Sequence, residues 1–315
     1  MQRLRGESGA TAVIVALLMI PLFGFAAISI DVGGLYFERR QLQNGADAAA
    51  LAIAQDCAKG VCGDINATAS DLAGKNANDN AANATATTSG NTVTVTASTK
   101  NPDGSTGLRH FFAPVLGVDA TQVKAAATAA WGAPSSGPAV LPITFGQCVF
   151  AGKMNVQQLI RYDSNGADSN CTNPSIPGGF GWLAHPGQCS VYDVAVDFAA
   201  LAVDPGADPP TDCAELFAKF KSDIGLGKNV IVILPVYDTT TGTGSSGSYK
   251  IMGFAAFQIT GWQFSGSTEW KFRSTCPDGN CRGVDGFFTK FVSLEDFKLG
   301  GPAGYDASVV KLMLN

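Results

Sequence analysis

Eight cysteines and two histidines are the residues of this chain most able to crosslink it or to hold a metal. Cys57 and Cys62 enclose four residues, as do Cys276 and Cys281. Pro277-Asp278-Gly279-Asn280 is a turn sequence that brings its ends together, so each pair is expected to close on itself as a disulfide. Cys148, Cys171, Cys189 and Cys213 admit three pairings, which spacing leaves open. Zinc would need a CxxC knuckle or histidines at finger spacing; neither occurs, although His185 stands four residues before Cys189. Nucleophilic chemistry finds no support either. There is no GxSxG elbow, Gly227-Lys228 lacks the spacing and the final Ser/Thr of a phosphate-binding loop, and Ser245-Ser246 belongs to a Gly/Thr/Ser-rich hairpin loop. Asp204, Asp208 and Asp212 recur every four residues, but prolines interrupt them and no calcium-loop pattern results. With His110 as the only other histidine, no enzyme activity, metal or cofactor is expected.

Those residues must be positioned by a chain of 315 residues, enough for about two folded units. Its net charge of −5 lacks the cationic surface that phosphate binding requires, so nucleic acid is not an expected partner. All eight cysteines lie beyond residue 56, on one side of an uncharged stretch over residues 8–30. As a helix that stretch is about 34 Å long, enough to cross a bilayer once, and it outruns the apolar core of a secretory signal. Arg3 and Arg5 before it are matched by Arg39 and Arg40 after it, so charge alone does not orient the span. The cysteine asymmetry does, placing residues 31–315 in an oxidising, extracytoplasmic compartment. Pro21 is expected to kink the span.

Beyond it, DVGGLYFERRQLQNGADAAALAIAQDCA repeats Leu35, Leu42, Ala46, Ala49, Ile53 and Cys57 at helical steps. The apolar helix should therefore continue to about residue 58, with Gly33 and Gly34 as a hinge. Residues 7–54 resemble the N-terminal segment of the TadE/TadG-like proteins of Flp (Tad) pilus assembly. The resemblance rests on Glu7 and Gly9 before the span, Asp31 and Gly33 just after it, Tyr36 and Arg39, and the run Leu42, Gln43, Asn44, Ala46, Asp47, Ala48, Ala49, Ala50. Gly45 departs from the alanine usual there and is expected to loosen the helix. Neither Gly6 nor Gly9 is followed by Glu at the offset that prepilin peptidases read, so cleavage is not expected. The segments GKNVIVILPVYDT, YKIMGFAAFQITGW and FVSLEDFKLGGP look like the C-terminal part of TadG-like chains, whereas the Asp-x-Ser-x-Ser run of a von Willebrand A domain is missing.

Residues 92–96 alternate like a half-buried strand, 108–116 read as a short helix, and 121–131 as a strand or helix. The Asn/Ala/Thr-rich stretch before them fits either a folded unit or a solvated linker. Farther on, Val230 begins a run that is apolar on both faces, as a central strand would be. The expected architecture is α+β. A cytoplasmic tail (1–9), a membrane-spanning helix (10–30) and a pilin-like helix (31–58) precede a small α+β unit (59–133) and a mainly β, disulfide-braced domain (139–315). The resemblance implies a single-pass component of Flp pilus assembly, structural or scaffolding in role. Its partners would be the lipid bilayer, pseudopilins, pilin and the inner-membrane platform, met through the small-residue face around Ala49 and Ala50. A tethered ligand-binding module, adhesin or enzyme is the alternative, to be recognised by a polar pocket in residues 139–315.

Overall fold

The computed structural model describes residues 8–150, 154–161, 180–185, 187, 189–196, 201–204, 209–241, 247–264, 269–271, 282–293, 297–301 and 307–313. The chain forms two compact units, one from Met1–Asp56, Cys62–Ala130 and Leu312–Asn315, the other from Cys57–Val61 and Trp131–Lys311.

The first unit is built on α1 (Ser8–Ala58), a single helix of 51 residues that contains Pro21. It passes through Gly33 and Gly34 as helix rather than breaking into a hinge. Each glycine costs only about 1 kcal/mol, which long helical flanks absorb. Apolar side chains from Val13 to Val32 are exposed, and this stretch is a candidate membrane span. The character changes past residue 40: Leu42, Ala46, Ala49, Ala50, Ile53 and Ala54 are buried, at the spacing the sequence predicts. Each fully buried Leu or Ile contributes roughly 1.5–3 kcal/mol.

What covers that face is α2 (Ile65–Asn76) and three consecutive antiparallel strands of one sheet, β1 (Ala82–Ser89), β2 (Thr92–Thr99) and β3 (Lys124–Gly132). Asp64 starts α2 by accepting hydrogen bonds from the N–H groups of Asn66 and Ala67. β1 and β2 form a hairpin in register Ser89↔Thr92, and β2 pairs with β3 with Val95 opposite Ala127. Val93, Val95 and Ala97 face inward with Ala125, Ala127 and Ala129, the period-two pattern of a sheet buried on one face. The Gln43 side chain donates to the Ala126 carbonyl at 3.2 Å, and Gln41 accepts from the Asn78 N–H at 2.6 Å. The Asn/Ala/Thr-rich stretch is thus ordered as the end of α2 and β1, not a linker. Residues 108–116 are not one helix: Leu108–Arg109 pairs with Ala120–Thr121, and only Ala113–Leu116 forms a short 3-10 turn. Pro114 lies at its start and Gly117 closes it at φ 82°, a conformation open to glycine.

The second unit contains β4 (Pro134–Ala139), β5 (Ile143–Gly146), β6 (Gln158–Arg161), β7 (Phe180–Leu183), β8 (Val191–Ala195), β9 (Leu201–Asp204), α3 (Ala214–Gly225), β10 (Val230–Thr241) and β11 (Ser248–Gln263). After these come β12 (Glu269–Trp270), β13 (Gly283–Phe288), β14 (Phe291–Ser293), β15 (Lys298–Leu299) and β16 (Ala307–Met313), which belongs to this unit as far as Lys311. The main sheet runs β9-β7-β5-β10-β11-β13-β6, with β12 also on β11, and a smaller one runs β8-β4-β15. β10 is central, as its double-faced apolar run predicts. Val230, Val232, Leu234 and Val236 enter one core with Phe217 and Phe220 of α3, while Ile233 and Tyr237 enter another with Phe254 and Phe297. Trp182 and Trp262 are buried core residues, and Trp270 packs against Trp262.

Cys189 is bonded to Cys213, and Cys57, Cys62 and Cys148 are also disulfide-bonded. Cys171, Cys276 and Cys281 lie outside the described residues, as do Ser245, Ser246 and Glu7.

Candidate functional site

Asp31 is the first charged residue after the uncharged span, and it is buried although the helix around it is mostly exposed. Its carboxylate accepts backbone hydrogen bonds from Phe111 at 2.8 Å, Phe112 at 3.1 Å and Ala113 at 2.7 Å. These N–H groups open the 3-10 turn at Ala113–Leu116 and have no partner within it. One side chain thus satisfies the start of a segment that lies 80 residues away in sequence. Burial pushes the Asp31 pKa up, but the donations from Phe111, Ala113 and Phe112, with the field of His110, outweigh it and hold the carboxyl below its ordinary value. His110 is fixed in turn by Thr121 at 2.8 Å. A Cβ placed on Gly34 would lie 3.8 Å from Leu108 Cδ2, so the segment follows the helix surface for one further turn. At the next turn, burial raises the pKa of Glu38 despite its bond with Thr99, and Asp79 adds to the rise.

The other expected positions divide into two faces. Leu42, Ala46, Ala49 and Ala50 are buried inside the unit, and Gln43 joins Asp47 at 2.8 Å. Ala48 is half-buried. The small-residue face is therefore already occupied by the chain's own sheet and α2, and is not free for a partner. Gly45 belongs to the same arrangement: a Cβ there would come within 2.9 Å of Ala73 Cα. The departure from alanine permits a close approach of two helices rather than merely loosening one. On the outer face, Gly33 has open space beside it, and Tyr36, Arg39 and Asn44 are exposed. Arg40 stacks over the Tyr36 ring at 5.3 Å, a cation–π contact. Gly33, Tyr36, Phe37, Arg40 and Asn44 recur at steps of three and four, and so share one stripe. Gly9 is helical.

In the second unit, His185, Asp212 and Cys213 converge as metal-ligand types, but the Cys213 sulfur is committed to Cys189. Asp212 instead accepts from the Cys189 N–H at 2.9 Å and from His185 Nε2 at 3.1 Å. These contacts lower its pKa, the Cys189 bond most. His185 Nδ1 faces the Leu183 carbonyl at 3.0 Å. The cluster braces the disulfide loop. A cavity of about 260 Å³ beside α3 and β10 is lined by Lys219, Asp223, Lys228 and apolar residues, and both lysines are paired with Asp223. Asn229, also in the lining, accepts from Gln258 Nε2 at 2.9 Å, so these polar groups are engaged by protein partners instead of converging on empty space.

Residues 9–56 match the family model described as putative Flp pilus-assembly TadE/G-like. The chain carries a TadE/G-like segment. That segment ties it to Flp pilus assembly and takes in Asp31, the buried alanines and the outer stripe. The C-terminal segments that look TadG-like lie outside the match. No curated protein and no solved structure matches the chain.

Proposed function

We propose that the chain is a non-catalytic, single-pass scaffold of Flp pilus assembly, with its bulk on the extracytoplasmic side. The observation that carries this reading is the division of the TadE/G-like segment. Its inner face holds the folded unit onto the helix through Leu42, Ala46, Ala49 and Ala50. Its outer stripe, with Tyr36 61 % and Phe37 56 % exposed, is left for other components of the machinery. A helix that serves as both anchor and core fixes the folded unit to the span, since moving one requires moving the other.

The partners in this reading are pseudopilins, pilin or the inner-membrane platform, bound laterally beside the membrane, where packing and polar contacts drive helix association. Native detergent purification of the tagged chain from piliated cells, followed by mass spectrometry, tests it. Stoichiometric recovery of such components supports the scaffold. Recovery of the chain alone would overturn it in favour of a tethered module.

A further inference from the structure

The segment from Phe111 to Val118 reads FFAPVLGV, eight residues without a charge. It lies outside the TadE/G-like match. Phe111 is 81 %, Val115 89 % and Leu116 81 % exposed, and Phe112 and Val118 are exposed as well. A run of exposed apolar side chains of this length is unfavourable in water and marks an interaction surface. Its location identifies the occupant. The Phe111, Phe112 and Ala113 N–H groups are bonded to Asp31, one residue past the uncharged span. A helical side chain leans toward the helix N-terminus, so the carboxylate reaches back toward the span and carries the loop with it. On the helix itself, Ile28, Ile30 and Val32 are exposed at this level. The loop therefore continues the apolar belt of the span sideways.

The hydrocarbon core is about 30 Å thick and takes about 20 helical residues. The 23 residues of 8–30 thus end in the interfacial layer, at the depth where Asp31 holds the loop. Resting on the membrane reading above, we infer that Phe111, Val115 and Leu116 insert into the adjoining lipid leaflet as a second membrane contact. Asp31 is the positioning residue. Its carboxylate covers the backbone donors of Phe111 to Ala113, which would otherwise enter the bilayer surface unsatisfied. Pro114 and Gly117 shape the turn so that its apolar side chains point outward. With a helix and a loop both engaged, rotation of the folded unit about the span would be resisted.

Depth-dependent quenching tests this on the full-length chain, held as one copy per lipid nanodisc. A fluorophore is attached to Val115→Cys, to Leu18→Cys within the span, and to Asn91→Cys in the β1–β2 turn, and nitroxide-bearing lipids are added. The expected result is severalfold stronger quenching at positions 115 and 18 than at 91. Quenching at 18 with position 115 behaving like 91 would overturn the inference and leave the anchor standing. Absence of quenching at both would overturn the membrane reading too. Shielding of position 115 only when a second protein is present would assign the loop to a protein partner and also overturn the inference.

Discussion

Replacing Gly45 by alanine sets two effects of known size against each other. In an isolated helix the change is favourable by up to about 1 kcal/mol, because glycine carries more backbone entropy. In this protein the added Cβ would meet Ala73 Cα at 2.9 Å, Ala73 O at 3.4 Å and Asn76 Cβ at 3.5 Å. The nearest atoms belong to backbone and cannot rotate aside, so α2 has to retreat. It is held by Asn78 against Gln41 at 2.6 Å, by Asn66 against the β1 backbone at 3.0 Å, and by buried Ala69 and Ala73. Overpacking of this kind costs about 1–3 kcal/mol, which exceeds the propensity gain. The expected net loss is about 1 kcal/mol, equivalent to a fall of a few degrees in melting temperature for a unit of this size. Calorimetry of the full-length chain in detergent measures the loss, and faster hydrogen exchange in α2 should accompany it. A Gly45→Ala chain that melts at the same temperature or higher would refute the close-approach explanation and leave helix propensity in control.

Asp31→Asn removes the charge and turns an amide NH2 toward backbone donors, so exchange at Phe111–Ala113 should rise while the rest of the unit is unchanged. Because the folded pKa of Asp31 is held low, its contribution is fully present at neutral pH and fades only as pH drops through that value; loop exchange should rise in acid below the ordinary carboxylate range. A Cys189→Ala, Cys213→Ala chain opens a crosslink spanning 24 residues, and the loop-entropy relation gives a loss of about 3.5 kcal/mol. Denaturant unfolding of the second unit reads it, and an unchanged midpoint would contradict the bracing role. Ala49→Leu puts three extra carbons into a fully buried site and should destabilise the first unit by about 1–3 kcal/mol, seen as protease sensitivity rather than a selective loss of partners.

Much of the first unit was legible because its elements obey simple periods. Leu42, Ala46, Ala49 and Ile53 announce one helical face and Thr92 to Thr96 one strand; in the second unit, Val230 to Leu234 announce a strand covered on both sides. Residues 121–131 stayed ambiguous because alanine favours helix, whereas pairing with β2 across Val95 and Ala127 imposes an alternation that only tertiary structure supplies. The same limit hid the reason for Gly45, which depends on how close Ala73 comes. It also hid the partner of Asp31: nothing local links it to backbone groups 80 residues away. Reading the small-residue face as a docking surface erred for a related reason. Ala46, Ala49 and Ala50 look the same in sequence whether they approach a partner's helix or the chain's own sheet.

The scaffold account requires the outer stripe of the TadE/G-like segment to meet another protein while its inner face meets only this chain. A photo-crosslinking residue placed at position 36, and separately at position 50, in piliated cells measures this directly. The account predicts intermolecular adducts with pilus-assembly components from position 36 and none from position 50. Adducts from position 50, or none from position 36 in cells making pili, would contradict it.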